Sequence, residues 1–125
     1  MAEKLDEKTT VAQLKTQVAK FTEERNWNKY HKPKDLAISI SIEAGELLEN
    51  FQWLTDEEIE DLSKDPEKIH RIKSELADVF AYALNLSKRL GIDISEAVLE
   101  KIKENEKKYP IEKIKGNYKK YSEIR

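Results

Sequence analysis

The sequence predicts an all-α, bundle-like domain, and three observations carry that expectation. Only three glycines and three prolines occur in 125 residues, among abundant Glu, Lys, Leu, Ile and Ala, a composition that favours helices. Apolar residues recur at helical spacing through most of the chain. The one run that alternates like a strand, AISISI at 37–42, has no second strand pattern to pair with, and an isolated strand would leave its backbone groups unpaired.

The elements follow in order. Residues 1–8 are polar and expected to be flexible. Thr9 and Thr10 are candidate caps for a first helix whose stripe is Val11, Leu14, Val18 and Phe21. WNKYHK (27–32) is a polar-aromatic connection, and Pro33 stands where a helix can begin. From there AISISI runs into EAGELLENF, which has helical spacing, so the whole of 34–53 is expected to be helix. Thr55 with Glu58 forms a possible capping box for a short helix. Asp65-Pro66 combines an N-cap with a proline at the first helical position. The helix it opens should run to Arg89 and stop at Gly91. Asp93 with Glu96 opens another helix that ends before Pro110. The result is one domain over 9–110, followed by a basic, partly flexible segment over 111–125 that Gly116 breaks.

Composition narrows the function. Lys and Arg number 23 against 25 Asp and Glu, for a formal charge of −2, which gives no support for a nucleic-acid binder working by bulk positive charge. The absence of cysteine excludes a disulfide framework and thiolate zinc sites. No apolar run approaches the ~20 residues needed to span a bilayer, and no signal-peptide pattern opens the chain. The expectation is a cytoplasmic protein with neither nucleic acid nor membrane among its partners.

Two windows depart from this charged background. LAISISIEAGELL (36–48) and ELADVFAYALNLS (75–87) are each 13 residues long. At 38% charge each should hold about five charged residues, yet each holds two. In both windows the two are acids spaced i, i+3: Glu43 with Glu46, and Glu75 with Asp78. At 100° per residue Glu43 and Glu46 share an arc with Ser39, Asn50 and Trp53, flanked by Leu36, Ile40, Ala44 and Leu47 on one side and Ile38 and Ile42 on the other. Glu75, Asp78, Tyr82 and Asn85 share an arc in the same way. Helices apolar on most faces are covered by neighbours or by another subunit, and carboxylates held there need protonation, basic partners or cations. Neither window contains a basic residue, although Arg71 falls near the second arc. Carboxylate-only ligation suits Mg²⁺, with Mn²⁺ as a substitute. A di-iron bundle site would require two Glu-x-x-His motifs; only Glu67-x-x-His70 fits, and it lies outside both windows.

Glu43-x-x-Glu46 followed by Glu75-x-x-Asp78 resembles the MazG-like all-α nucleoside triphosphate pyrophosphohydrolases, whose pattern is E-E-x-x-E and then E-x-x-D. Ile42 stands at the leading acid position, a departure from that pattern. RNWNKYHKPKDL (25–36), GELLENFQW (45–53), ELADVFAYAL (75–84), KYP (108–110) and KKYSE (119–123) are similar to the dCTP pyrophosphatase branch. The resemblance implies a MazG-type four-helix-bundle-like fold working as a homodimer or homotetramer, with a nucleoside triphosphate as substrate. It implies Glu43, Glu46, Glu75 and Asp78 as Mg²⁺ ligands. It also implies a nucleoside pocket shaped by Trp27, Asn28, Lys29, Tyr30, His31, Trp53 and Tyr82. Glu46 or Glu49 is the candidate base for the attacking water, and Lys115, Lys119 and Lys120 are candidates to meet the triphosphate. dCTP or a modified pyrimidine nucleotide is the favoured substrate. A helical dimerisation or adaptor module, with its acids paired to Lys or Arg across an interface, is the competing class, and a silent nucleotide-binding protein is a third.

Overall fold

In the computed structural model of the chain, which describes residues 4–114, every regular element is helical. Thr10 opens α1 (Val11–Glu24) with a full capping box. The Gln13 N–H donates to its hydroxyl at 3.1 Å, and its own N–H donates to the Gln13 side-chain oxygen at 2.8 Å. Two orphan donors of the first turn are thereby satisfied. Ahead of it Leu5–Glu7 form a 3-10 turn, whose Leu5 carbonyl accepts from both Lys8 and Thr9. The described residues ahead of α1 are thus linked to one another by backbone hydrogen bonds.

Asn26 ends α1. Its φ of 57° places it in the left-handed region, which asparagine tolerates better than most residues. The Trp27 N–H then reaches back to the Thr22 carbonyl at 2.9 Å and the Asn26 N–H to that of Glu23 at 3.0 Å, the double closure of a Schellman turn. α2 (Pro33–Glu49) begins on its proline as expected but stops four residues short of Trp53. Asn50 is the cause: its side-chain amide donates to the Glu46 carbonyl at 3.2 Å and its N–H to that of Leu47. Phe51 and Gln52 both fold back on the Leu48 carbonyl, so 51–53 form a turn. α3 (Asp56–Glu60) starts at a Thr55–Glu58 capping box. A 3-10 turn at Leu62–Lys64 leads to α4 (Pro66–Arg89), capped by Asp65, whose carboxylate accepts from the Lys68 N–H at 3.1 Å. Gly91, at φ 66°, stops it.

The chain divides into two compact units at Gly91 and Ile92. The second unit holds α5 (Ile94–Lys108) and α6 (Ile111–Ile114). Asp93 caps α5 by accepting from the Glu96 N–H at 2.9 Å, and Glu104 pairs with both Lys101 and Lys108 along its surface. The expected break at Gly116 and the basic stretch after it lie outside the described residues.

In the first unit α4 packs along α2 and, over a shorter length, against α1. Ala19, Leu36, Leu62 and Leu84 are the buried apolar residues, joined by Thr22, Asn85 and Ser87. Thr22 and Ser87 satisfy their hydroxyls on carbonyls one turn back, as buried polar groups must. Much of the apolar surface of the two quiet windows is nevertheless exposed: Ile42 by 54% and Phe80 by 60%. An open groove of about 640 Å³ between α1 and α4 is lined by Leu14, Val18, Ile69, Leu76, Phe80 and Leu84. Ser41, Ala44 and Gly45 on α2 are exposed, and a Cβ at Gly45 would meet nothing within 4 Å.

Candidate metal and nucleotide site

The acids of the two windows converge because each window is helical and α2 lies along α4. Spacing of i, i+3 puts Glu43 and Glu46 on one face of α2, and Glu75 and Asp78 on one face of α4. One oxygen from each of Glu43, Glu75 and Asp78 lies within 4.8 Å of the others. Glu46 stands beside this trio, close enough to hydrogen-bond with Glu43 and Glu75. Glu43, Glu46 and Glu75 are half-buried, and Asp78 is exposed.

The electrostatics follow from that crowding. Burial pushes the Glu43 carboxyl up from its ordinary 4.5 to about 7, and the Glu46 carboxyl beside it, the hydrogen bond to Glu75 and the charge of Asp78 add to the rise. Burial also raises Glu75, opposed by its hydrogen bond with Glu43 and reinforced by Glu46 and Asp78. Even so, Oε2 of Glu43 and Oε2 of Glu75 are buried with no hydrogen-bond partner. Buried polar atoms are rarely left so. Two orphaned carboxylate oxygens in a cluster of like charges are a donor set suited to a hard divalent cation. Ile42, next to Glu43 in the chain, is exposed on α2.

Farther along α4 an aromatic group gathers around His31. Residues 27–31 turn tightly, with the Tyr30 and His31 N–H groups donating to the Trp27 carbonyl, and this hangs the imidazole at the N-terminal end of α2. Trp27 and His31 meet edge to face with centroids 6.0 Å apart, and His31 and Tyr82 do so at 6.1 Å. Phe21 closes on Trp27 at 5.6 Å and carries Arg25 over its face at 3.8 Å. The amide of buried Asn85 lies 3.3 Å from Nδ1 of His31.

Of the residues expected to shape a nucleoside pocket, Trp27, His31 and Tyr82 come together. Asn28 is half-buried in the turn between them. Lys29 instead lies over the Tyr30 ring at 5.0 Å, and Tyr30 is exposed. Trp53 is 84% exposed and off the glutamate arc, because α2 ends before it. Glu49 is exposed at the end of α2. Lys115, Lys119 and Lys120 lie outside the described residues. The pairing of Asn85 with His31 is legible in the sequence only as a polar residue on the Glu75, Asp78, Tyr82 arc.

The chain is similar to several known proteins. A family model described as MazG-like matches residues 38–124. The dCTP pyrophosphatase 1 of Homo sapiens is 34% identical over 115 residues, 92% of this chain and 68% of that one. That of Bos taurus is 33% identical with the same coverage. The crystal structure of a pyrophosphatase from Archaeoglobus fulgidus DSM 4304 matches with a TM-score of 0.71 and 41% identity, covering 88% of this chain and 96% of that one.

Proposed function

The chain belongs to the MazG-like family, in its dCTP pyrophosphatase branch, and from that premise we propose that it is a Mg²⁺-dependent enzyme cleaving dCTP or a related pyrimidine nucleotide to the monophosphate and pyrophosphate. That it is a nucleoside triphosphate pyrophosphohydrolase follows from its relatives. The cation dependence and the base rest on the site. The observation that carries the reading is the pair of orphaned oxygens on Glu43 and Glu75 within a carboxylate trio.

Glu43, Glu46, Glu75 and Asp78 would hold the cation. Bound there, it would neutralise phosphate oxygens and activate water. The chain's own groups divide the remaining work. Glu46 adjoins the trio without being one of it, which favours it over exposed Glu49 as acceptor of the proton from the attacking water. Trp27, His31 and Tyr82 offer ring edges and faces to a nucleoside whose phosphates lie toward the acids. From Asp78 to Asn85 is seven residues of helix, roughly 10 Å at 1.5 Å per residue. That span suits a nucleoside between its 5′-phosphate and its base.

The exposed apolar surface supports a homodimer or homotetramer. Phe80 and Leu76 on α4 and Ile38 and Ile42 on α2 are all at least 44% exposed, and the α1–α4 groove is open. Exposed apolar surface of this kind is normally covered by a partner.

The test is product analysis of the purified protein with dCTP, dUTP, dTTP and dATP, with and without Mg²⁺, beside Glu46→Gln. Mg²⁺-dependent release of pyrophosphate, lost in the variant, is the expected result. Turnover that ignores Mg²⁺, or no turnover of any triphosphate, would overturn the proposal.

A further inference from the structure

Asn85 is 5% exposed, and its side-chain amide is aimed at a ring nitrogen of a residue 54 positions away. A buried amide is costly unless it makes its hydrogen bonds, so its partner is informative. That partner is Nδ1 of His31, at 3.3 Å from Nδ2 of Asn85. An amide N–H can only donate, and a ring nitrogen that accepts must carry no proton. In the neutral imidazole the proton then resides on Nε2, at the opposite edge of the ring. Nε2 makes no hydrogen bond to any described residue. The ring itself is wedged between Trp27 and Tyr82, which limits its rotation.

From this geometry we propose that Asn85 is a positioning residue that fixes His31 as a neutral Nε2–H donor directed at an acceptor atom of the nucleotide's base. The inference rests on the nucleotide site proposed above. It adds the chemical character of one wall of that site: a hydrogen-bond donor of fixed tautomer, suited to a carbonyl oxygen or unprotonated ring nitrogen such as the acceptor edge of cytosine. Asn85 reaches the substrate only through His31. Replacing it should therefore alter binding without touching the carboxylates, since Glu43 and Glu46 are on α2 and Glu75 and Asp78 lie at least seven residues before Asn85 on α4.

The experiment uses the full-length protein labelled with ¹⁵N. Only two histidines are present, and exposed His70 serves as the internal reference. At about pH 8.5, where an ordinary imidazole is neutral, long-range ¹H–¹⁵N spectra should show His31 wholly in the Nε2–H form with Nδ1 accepting a hydrogen bond. Asn85→Asp places acceptor oxygens opposite Nδ1, and His31 should switch to a ring protonated at Nδ1. KM for dCTP should then rise about fivefold, as expected for one lost hydrogen bond, with kcat little changed. Asn85→Ala, a smaller change at the same position, should release the tautomer to the mixture seen for His70 and raise KM by less. Wild-type His31 protonated at Nδ1 would overturn the inference, and so would a tautomer switch in Asn85→Asp that leaves KM unmoved. A wild-type protein that hydrolyses no triphosphate would overturn the proposed function and with it the nucleotide as acceptor. The tautomer spectra would still judge the hold of Asn85 on His31 separately.

Discussion

Replacing Glu43 by Gln tests the acid cluster without measuring catalysis. Oxygens of Glu43, Glu75 and Asp78 lie within 4.8 Å of one another. Two unit charges at that separation repel by roughly 3 kcal/mol at an effective dielectric of 20. The cluster opens to solvent at Asp78, and screening cuts this to about 1 kcal/mol for the charge removed at Glu43. The sign depends on pH. The folded-state pKa of Glu43, about 7, is above its ordinary 4.5, so the folded protein binds the proton more tightly than the unfolded chain. In the cation-free protein, stability should therefore fall as pH rises from about 4.5 through about 7 and level off above that. Glu43→Gln should thus raise the cation-free melting temperature at about pH 8 by roughly 4 °C and change it little at about pH 5. Added Mg²⁺ should behave in the opposite way. The wild-type protein gains about 2.7 kcal/mol at a hundredfold excess over Kd, and the variant gains far less. Calorimetry at fixed protein concentration reads all four conditions. A variant that melts lower than wild type at about pH 8, or keeps the full Mg²⁺ shift, would show that the carboxylates have other partners and would refute the reasoning.

Three further outcomes are expected. Asp78→Asn should weaken Mg²⁺ binding by at least about tenfold with little loss of stability, since Asp78 is the exposed member of the trio; titration calorimetry reads it. Gly91→Ala should destabilise by about 1 kcal/mol in chemical denaturation, because its φ of 66° is strained for any side chain while a Cβ there would meet no atom within 4 Å. Phe80→Glu should give a monomer in light scattering where the wild-type chain gives the proposed oligomer, since the ring is 60% exposed beside the open groove.

What the sequence determined by itself was local. Caps at Thr10, Thr55, Asp65 and Asp93, the proline at position 33 and the stop at Gly91 are short-range hydrogen-bond and backbone effects, legible without tertiary context. The acid quartet was legible too, because two pairs at i, i+3 stood out against windows otherwise free of charge. Some local features were missed even so. The amide of Asn50 ended α2 early and swung Trp53 out of the glutamate arc, since a side chain that competes for the last carbonyls leaves no periodic signal. Only the tertiary structure could decide that α2 lies along α4 so that Glu43 meets Glu75 and Asp78, that burial falls unevenly on equivalent carboxyls, and that Asn85 faces His31. Those facts depend on the distance between residues far apart in the chain, and helical periodicity fixes which face a residue occupies but not what that face will meet.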